Sequence, residues 1–318
     1  MRPRSFPDAR LQGQGKILPI GRLGSEFPVS SPGHASAGSA CGVPCPPLGA
    51  FGCAKFQSVS ARTSAQLQAA KTTQSRLPGL AKETGLIRHP FDLEFGVRTS
   101  GLVAGRNLKS GRRSDRHNTA YFGVAPSVFR EMIVRWRRLK SMAPLDEYTL
   151  VDLGAGMGRA MLLASEFPFR AVLGVEMNPT LARIGRRNMA RWRAAGRAKS
   201  PMRMLCRDAL EFDLPAGPVV IFLFNPFGAP VLKRLARKWS KALAERNGPL
   251  DILYVNDEQG RVLDLEPGFA RMFKGEVRRS RADAIADHRI LANQPDGEYA
   301  SANWEDCSIY RWVGKGST

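Results

Sequence analysis

The sequence predicts an α/β protein built on a doubly wound, largely parallel sheet. From about residue 143 onward, short apolar runs alternate with longer amphipathic segments, which is how strands joined by crossover helices read. One of those runs ends in a glycine-rich turn that feeds straight into a helical segment, and the series closes on two weaker runs suited to an antiparallel pair.

Taken in order, a helix is expected over residues 125–139, where Val128, Met132, Ile133 and Trp136 fall on one helical face. The first strand is read at 148–153, followed by a helix over 159–165, a second strand at 171–176, and a helix over 179–194 that opens on Pro179, a residue suited to a first turn. A third strand follows at 202–206, a fourth at 219–224, a helix over 230–245, a fifth strand at 252–255, and the two weaker strands at 273–278 and 308–313. Cys206, inside the third of these strands, reads as an inert core thiol.

Before this domain, read as residues 143–318, lie an extension of helix and loop over 86–142 and a tail over 1–85. The tail is rich in Gly, Pro, Ser and Ala and reads as disordered. An organelle leader and a start codon placed too far upstream are the other readings of it. Residues 107–118 form a polar, strongly basic loop.

The chain has 318 residues, a formal charge of +20 and 43% hydrophobic residues, enough for a sizeable core. The charge favours polyanionic neighbours such as RNA or ribosomes, while solvated helix faces explain the same arginines equally well. No run approaches the roughly 18 apolar residues of a membrane span, and the start lacks a signal-peptide core. A cytoplasmic monomer is the expectation. Of the five cysteines, Cys41, Cys45 and Cys53 lie in the tail and match no zinc spacing with His34, so no metal is expected.

The chemistry concentrates in Val151-Asp152-Leu153-Gly154-Ala155-Gly156-Met157-Gly158-Arg159. Alternating glycines allow close backbone approach and unusual dihedrals, and Asp152 at the strand end can meet a positively charged ligand group. A dinucleotide turn wants Gly-x-Gly-x-x-Gly, and Arg159 fills the place of its last glycine. Glu176, closing the second strand, can bond both hydroxyls of a ribose. Asp208 follows the third strand, where a carboxylate accepts from an adenine amino group or simply caps a turn. Asn225, Pro226 and Phe227 close the fourth. All these strand ends point to one sheet edge.

These four stations resemble motif I, the acidic end of strand two, the adenine loop and motif IV of class I S-adenosylmethionine-dependent methyltransferases. The resemblance implies the seven-stranded Rossmann-like sheet of that family, with S-adenosyl-L-methionine as cofactor. More narrowly, Phe91-Asp92, Phe95-Gly96-Val97, Thr99-Ser100-Gly101 and the segment from Tyr121 to Pro126 resemble a bacterial group of such enzymes without an assigned substrate. It implies a cofactor site of Asp152, Gly154, Ala155, Gly156, Gly158, Glu176, Met177, Asp208 and Ala209, with Tyr121 as a lid contact. By the same analogy Asn225, Pro226 and Phe227 face the acceptor, with the Asn225 amide positioning a target nitrogen. The family's second proline and its aromatic are replaced here by Phe227 and Gly228.

Methyl transfer to a nitrogen of a protein side chain or RNA base is the leading expectation. A nucleic-acid-binding protein on the same fold and a nicotinamide-dependent oxidoreductase are the alternatives.

Overall fold

The computed structural model describes residues 87–140, 142–245, 248–293 and 302–314. The readings of residues 1–85, including those of His34 and the tail cysteines, lie outside the described residues. The described residues fall within one compact unit.

The chain enters through a short helix, α1 (Pro90–Phe95), whose N-cap His89 accepts a bond from the Phe91 amide through Nδ1 at 3.1 Å and which Gly96 ends at φ 64°. A two-stranded ribbon follows, β1 (Leu102–Val103) paired with β2 (Tyr121–Phe122), its strands separated by two 3₁₀ turns, Gly105–Asn107 and Arg113–His117. Helix α2 (Pro126–Arg138) then buries Val128, Phe129, Met132, Ile133 and Trp136 on one face. Each of these side chains contributes roughly 1.5–3 kcal/mol relative to exposure.

Next come β3 (Thr149–Leu153), α3 (Arg159–Ala164), β4 (Ala171–Glu176), α4 (Pro179–Ala194) and β5 (Met202–Cys206). Asn178 caps α4 by accepting from the Thr180 and Leu181 amides. The remainder is β6 (Val219–Phe224), α5 (Ala229–Glu245), β7 (Leu250–Val255), α6 (Arg261–Asp264), β8 (Phe269–Arg278), α7 (Arg281–Ala292) and β9 (Trp304–Trp312).

The seven main strands run in the order β5-β4-β3-β6-β7-β9-β8, parallel from β5 to β7 and antiparallel at β7-β9 and β9-β8. Alternation along the strands divides the core. Leu150, Val220, Phe222 and Leu253 join the cluster that α2, α3 and α4 cover, and Val151, Leu153, Ile221 and Leu223 join the one under α5. A buried ion pair crosses the antiparallel seam between β7 and β9. Asp251 accepts from Arg311 Nε at 2.7 Å and from Trp136 Nε1 at 2.8 Å, tying β7, β9 and α2 together.

The expected strands are all present, with β7, β8 and β9 starting two to four residues earlier than expected. The correction concerns Cys206. It is exposed although it shares a face with buried Met202 and Met204, because it is the last residue of β5, the outermost strand of the sheet. Among the described residues no helix is long and apolar enough to cross a membrane.

Candidate functional site

Strands β3 and β6 lie side by side and parallel, while the chain continues from them toward opposite edges of the sheet. A crevice opens beyond their carboxyl ends, the place where open α/β sheets bind ligands. The cavity there is lined by Tyr121, Asp152, Gly154, Ala155, Glu176, Met177, Asp208, Ala209, Pro226 and Phe227, among others. Gly156, Gly158 and Asn225 do not line it.

The turn after β3 needs its glycines for two reasons. Gly154 and Gly156 take φ of 78° and 54°, and a Cβ on them would stand 2.3 Å from the Pro226 ring and 2.2 Å from the Tyr121 ring. The close approach expected of a ligand is thus made here by the protein's own rings. Tyr121 lies across the turn with its hydroxyl donating to the Thr99 carbonyl at 2.7 Å, and burial pushes its ionisation far up.

Asp152 is 3% exposed and faces this cavity, and no donor among the described residues bonds its carboxylate. Burial, and then the charge of Glu176, push its pKa up to about 8. Glu176 is buried too, and its own ionisation is pushed up by that burial, in part offset by backbone amides. Its Oε2 accepts from the Gly156 amide and its Oε1 from the Asn178 amide, each at 2.7 Å, so it pins the glycine turn to the end of β4. A carboxylate has about four acceptor positions, which leaves room for further donors.

Asp208 caps the 3₁₀ turn Ala209–Glu211 through the Leu210 amide at 2.9 Å and also accepts from the Ser114 hydroxyl. Ser114 belongs to the basic loop between β1 and β2, which crosses the mouth of the cavity as a strap. Arg112 reaches Glu211 at 2.7 Å, the Gly228 amide donates to the His117 carbonyl at 3.0 Å, and Thr119 donates to the Asn225 carbonyl. Asn225 takes a left-handed φ of 39°, and its Oδ1 lies 3.5 Å from the Tyr254 hydroxyl, while Pro226 and Phe227 turn toward the cavity.

Sequence reasoning missed the device that seats the turn. Arg159 is 3% exposed and donates to Thr99 Oγ1 at 2.7 Å, the Gly123 carbonyl at 3.0 Å and Ser100 Oγ at 3.2 Å. Asp92, fully buried, accepts from the amides and hydroxyls of both Thr99 and Ser100 and lies 4.0 Å from the same guanidinium. The Phe91-Asp92 and Thr99-Ser100 pairs, prominent in the sequence, are therefore the socket of Arg159. An arginine where a dinucleotide turn has glycine was the available signal.

The cavity is lined by three buried acids, Asp152, Glu176 and Asp208, by Arg159 and Arg207, and by the rings of Phe122, Phe222, Phe224 and Phe227. Such a site suits a cation joined to a hydroxylated, planar group.

No protein-family model and no curated protein matches the chain. Among solved structures, it is similar to a putative RNA methyltransferase from Pyrococcus horikoshii, at 15% identity over 60% of this chain and 83% of that one, with a TM-score of 0.39. It is also similar to an RNA methyltransferase from Salinibacter ruber in complex with S-adenosyl-L-homocysteine (17%, 60% and 93%, TM-score 0.37). A third is the cyclase SpnF (15%, 59% and 82%, TM-score 0.41). Likenesses this distant carry no weight for activity, and a shared fold does not fix function. By its strand order and the glycine turn at its switch point, the chain has the seven-stranded sheet of the class I methyltransferase fold.

Proposed function

We propose that this cavity binds S-adenosylmethionine and that the protein transfers the methyl group to a nitrogen of a protein side chain or an RNA base. Asp152 carries the reading: a buried carboxylate without a protein partner, facing the cavity beside a second buried acid. Once it gives up its proton, such an acid pairs with a cation, and the cofactor brings an ammonium and a sulfonium. The pyrophosphate of a nicotinamide dinucleotide offers Asp152 no such partner.

In this reading Asp152 receives the ammonium, Glu176 the ribose hydroxyls and Asp208 the adenine amino group. Tyr121, Gly154, Ala155, Gly156, Gly158, Met177 and Ala209 shape the walls and the turn behind them. When bound, the cofactor supplies an electrophilic methyl group, so the protein needs chiefly to align a nucleophile and exclude water. Pro226 and Phe227, with Phe224, offer a flat apolar wall to a planar acceptor. Asn225 acts as a positioning residue: its left-handed turn, held by Thr119 and Tyr254, directs the two residues after it into the cavity. One chain supplies every side chain invoked, so a monomer suffices.

The test incubates the protein with methyl-labelled S-adenosylmethionine and cell extract, followed by protease or ribonuclease digestion. Label should enter macromolecules with the wild type and not with Asp152→Ala, and the digestion that releases it names the acceptor. A wild type that binds S-adenosylhomocysteine yet labels nothing refutes methyl transfer.

A further inference from the structure

We propose that an arginine-lined cleft beside the cavity binds the phosphodiester backbone of a nucleic-acid strand whose base enters the cavity as methyl acceptor. This rests on the reading of the cavity as a methyl-transfer site. The cleft is walled by Arg112, Arg113 and Arg116 from the strap and by Arg234 from α5, and it shares Ser114, Asp208 and Val231 with the cavity.

The arginines are held on a built support. Asp115 accepts from the Ser110 amide and the Gly111 amide, each at 2.9 Å, and from the Ser110 hydroxyl at 2.7 Å, which fixes the 3₁₀ turn that carries Arg113 and Arg116. Ser114, on the same turn, is bonded to Asp208. Arg112 is matched by Glu211, whereas among the described residues Arg113, Arg116 and Arg234 have no carboxylate within ion-pair distance. Three exposed arginines without a carboxylate partner thus line one cleft from two elements, beside Asp208 and the Arg112–Glu211 pair. Their planar forks fit phosphate oxygens two at a time.

A strand fits better than an acidic peptide. The cavity that adjoins the cleft is lined by the acids Asp152, Glu176 and Asp208, which disfavour burying a further carboxylate beside them, and by four phenylalanine rings that accept a flat, uncharged base. Enzymes that modify a base draw it out of its stack while the backbone stays outside, and here the arginines without a carboxylate partner lie on the cleft and the aromatic rings on the cavity, with Asp208 shared between them and Glu211 on the cleft. The net charge of +20 adds long-range attraction for the same ligand.

The test uses the full chain and fluorescein-labelled single-stranded oligonucleotides, one ribose and one deoxyribose, read by anisotropy across a salt series. The variant Arg113→Ala/Arg116→Ala/Arg234→Ala is compared with Arg137→Ala/Arg138→Ala/Arg187→Ala, which removes the same charge from exposed positions outside the cleft. Calorimetric titration with S-adenosylhomocysteine checks the cofactor site of each. The cleft variant should weaken binding at least tenfold at about 0.1 M salt and lower the salt slope by about 2, since each single-strand phosphate contact adds roughly 0.7. The control variant should change affinity less than twofold, and cofactor binding should stay unchanged in both. The tighter of the two strands names the natural backbone. Equal losses in the two variants, no binding of either strand, or stronger cleft-dependent binding of polyglutamate would overturn the proposal. Failure of the cofactor reading would instead appear as lost binding of S-adenosylhomocysteine by the wild type.

Discussion

Asp152 makes cofactor affinity depend on pH in a way that can be worked out from its surroundings. The group that receives an ammonium must be ionised, and in the empty cavity burial and the neighbouring Glu176 hold the Asp152 pKa at about 8. Below that value each pH unit should weaken binding about tenfold, or about 1.4 kcal/mol, because a proton must leave before the ligand's charge is matched. Between pH 8.5 and 6.5 the ionisation of this group alone should therefore lower the affinity for S-adenosylhomocysteine about 25-fold. Calorimetry at pH 7 in buffers of different ionisation enthalpy should register release of nearly one proton per ligand bound. Asp152→Asn should bind about 10- to 100-fold more weakly at pH 8.5, the cost of a charge-assisted bond, and should lose the pH slope. A wild-type affinity flat over this range, or an Asn variant that keeps the full slope, would refute this reasoning and move the titrating group elsewhere.

The same carboxylate should cost stability when the cavity is empty. Its folded pKa lies above the ordinary value of 3.8, so the stability of its neutral form is fully present below about pH 4 and is lost as pH rises through 8. Thermal melts without ligand should show Asp152→Asn gaining on the wild type from pH 5 to 8.5, by several kcal/mol at most, and no gain would contradict the buried, unpaired state. Asp92→Ala leaves the Arg159 guanidinium buried without its carboxylate and strips four bonds from Thr99 and Ser100, so urea unfolding should show a loss of about 3–5 kcal/mol. A loss under about 0.5 kcal/mol, the level of ordinary surface changes, would mean that the socket does not hold the turn. Brief alkylation of the native protein, mapped by mass spectrometry, should modify exposed Cys206 and spare Cys307, whose thiol is buried and whose ionisation is pushed up by that burial.

The strands were legible because each is a compact apolar run bounded by polar turns, and β4, β5 and β6 have the expected limits. Helix α7 left no such trace. It turns Asp283 and Asp287 inward beside His89 and Arg279 and exposes Ile285, so it has no apolar stripe to read. The strap is equally silent in sequence, since its ties join residues far apart along the chain, as Ser114 and Asp208 do across 94 positions. Cys206 was misread for a related reason: whether a strand lies at the edge of a sheet is decided by topology and not by its own residues. At the site, the carboxylates at the strand ends could be named from position alone. That Gly154 and Gly156 receive rings of the protein itself, and that Asn225 sits behind the cavity wall, depended on packing between distant segments.

The most direct measurement is calorimetric titration of the full chain with S-adenosylhomocysteine at pH 8.5, with NAD as the control. Saturable binding of S-adenosylhomocysteine at one site per chain, lost in Asp152→Ala, with no heat from NAD, is the expected result. Binding of NAD, or no binding of S-adenosylhomocysteine by a chain whose circular dichroism and melting show it folded, would contradict the assignment of this cavity.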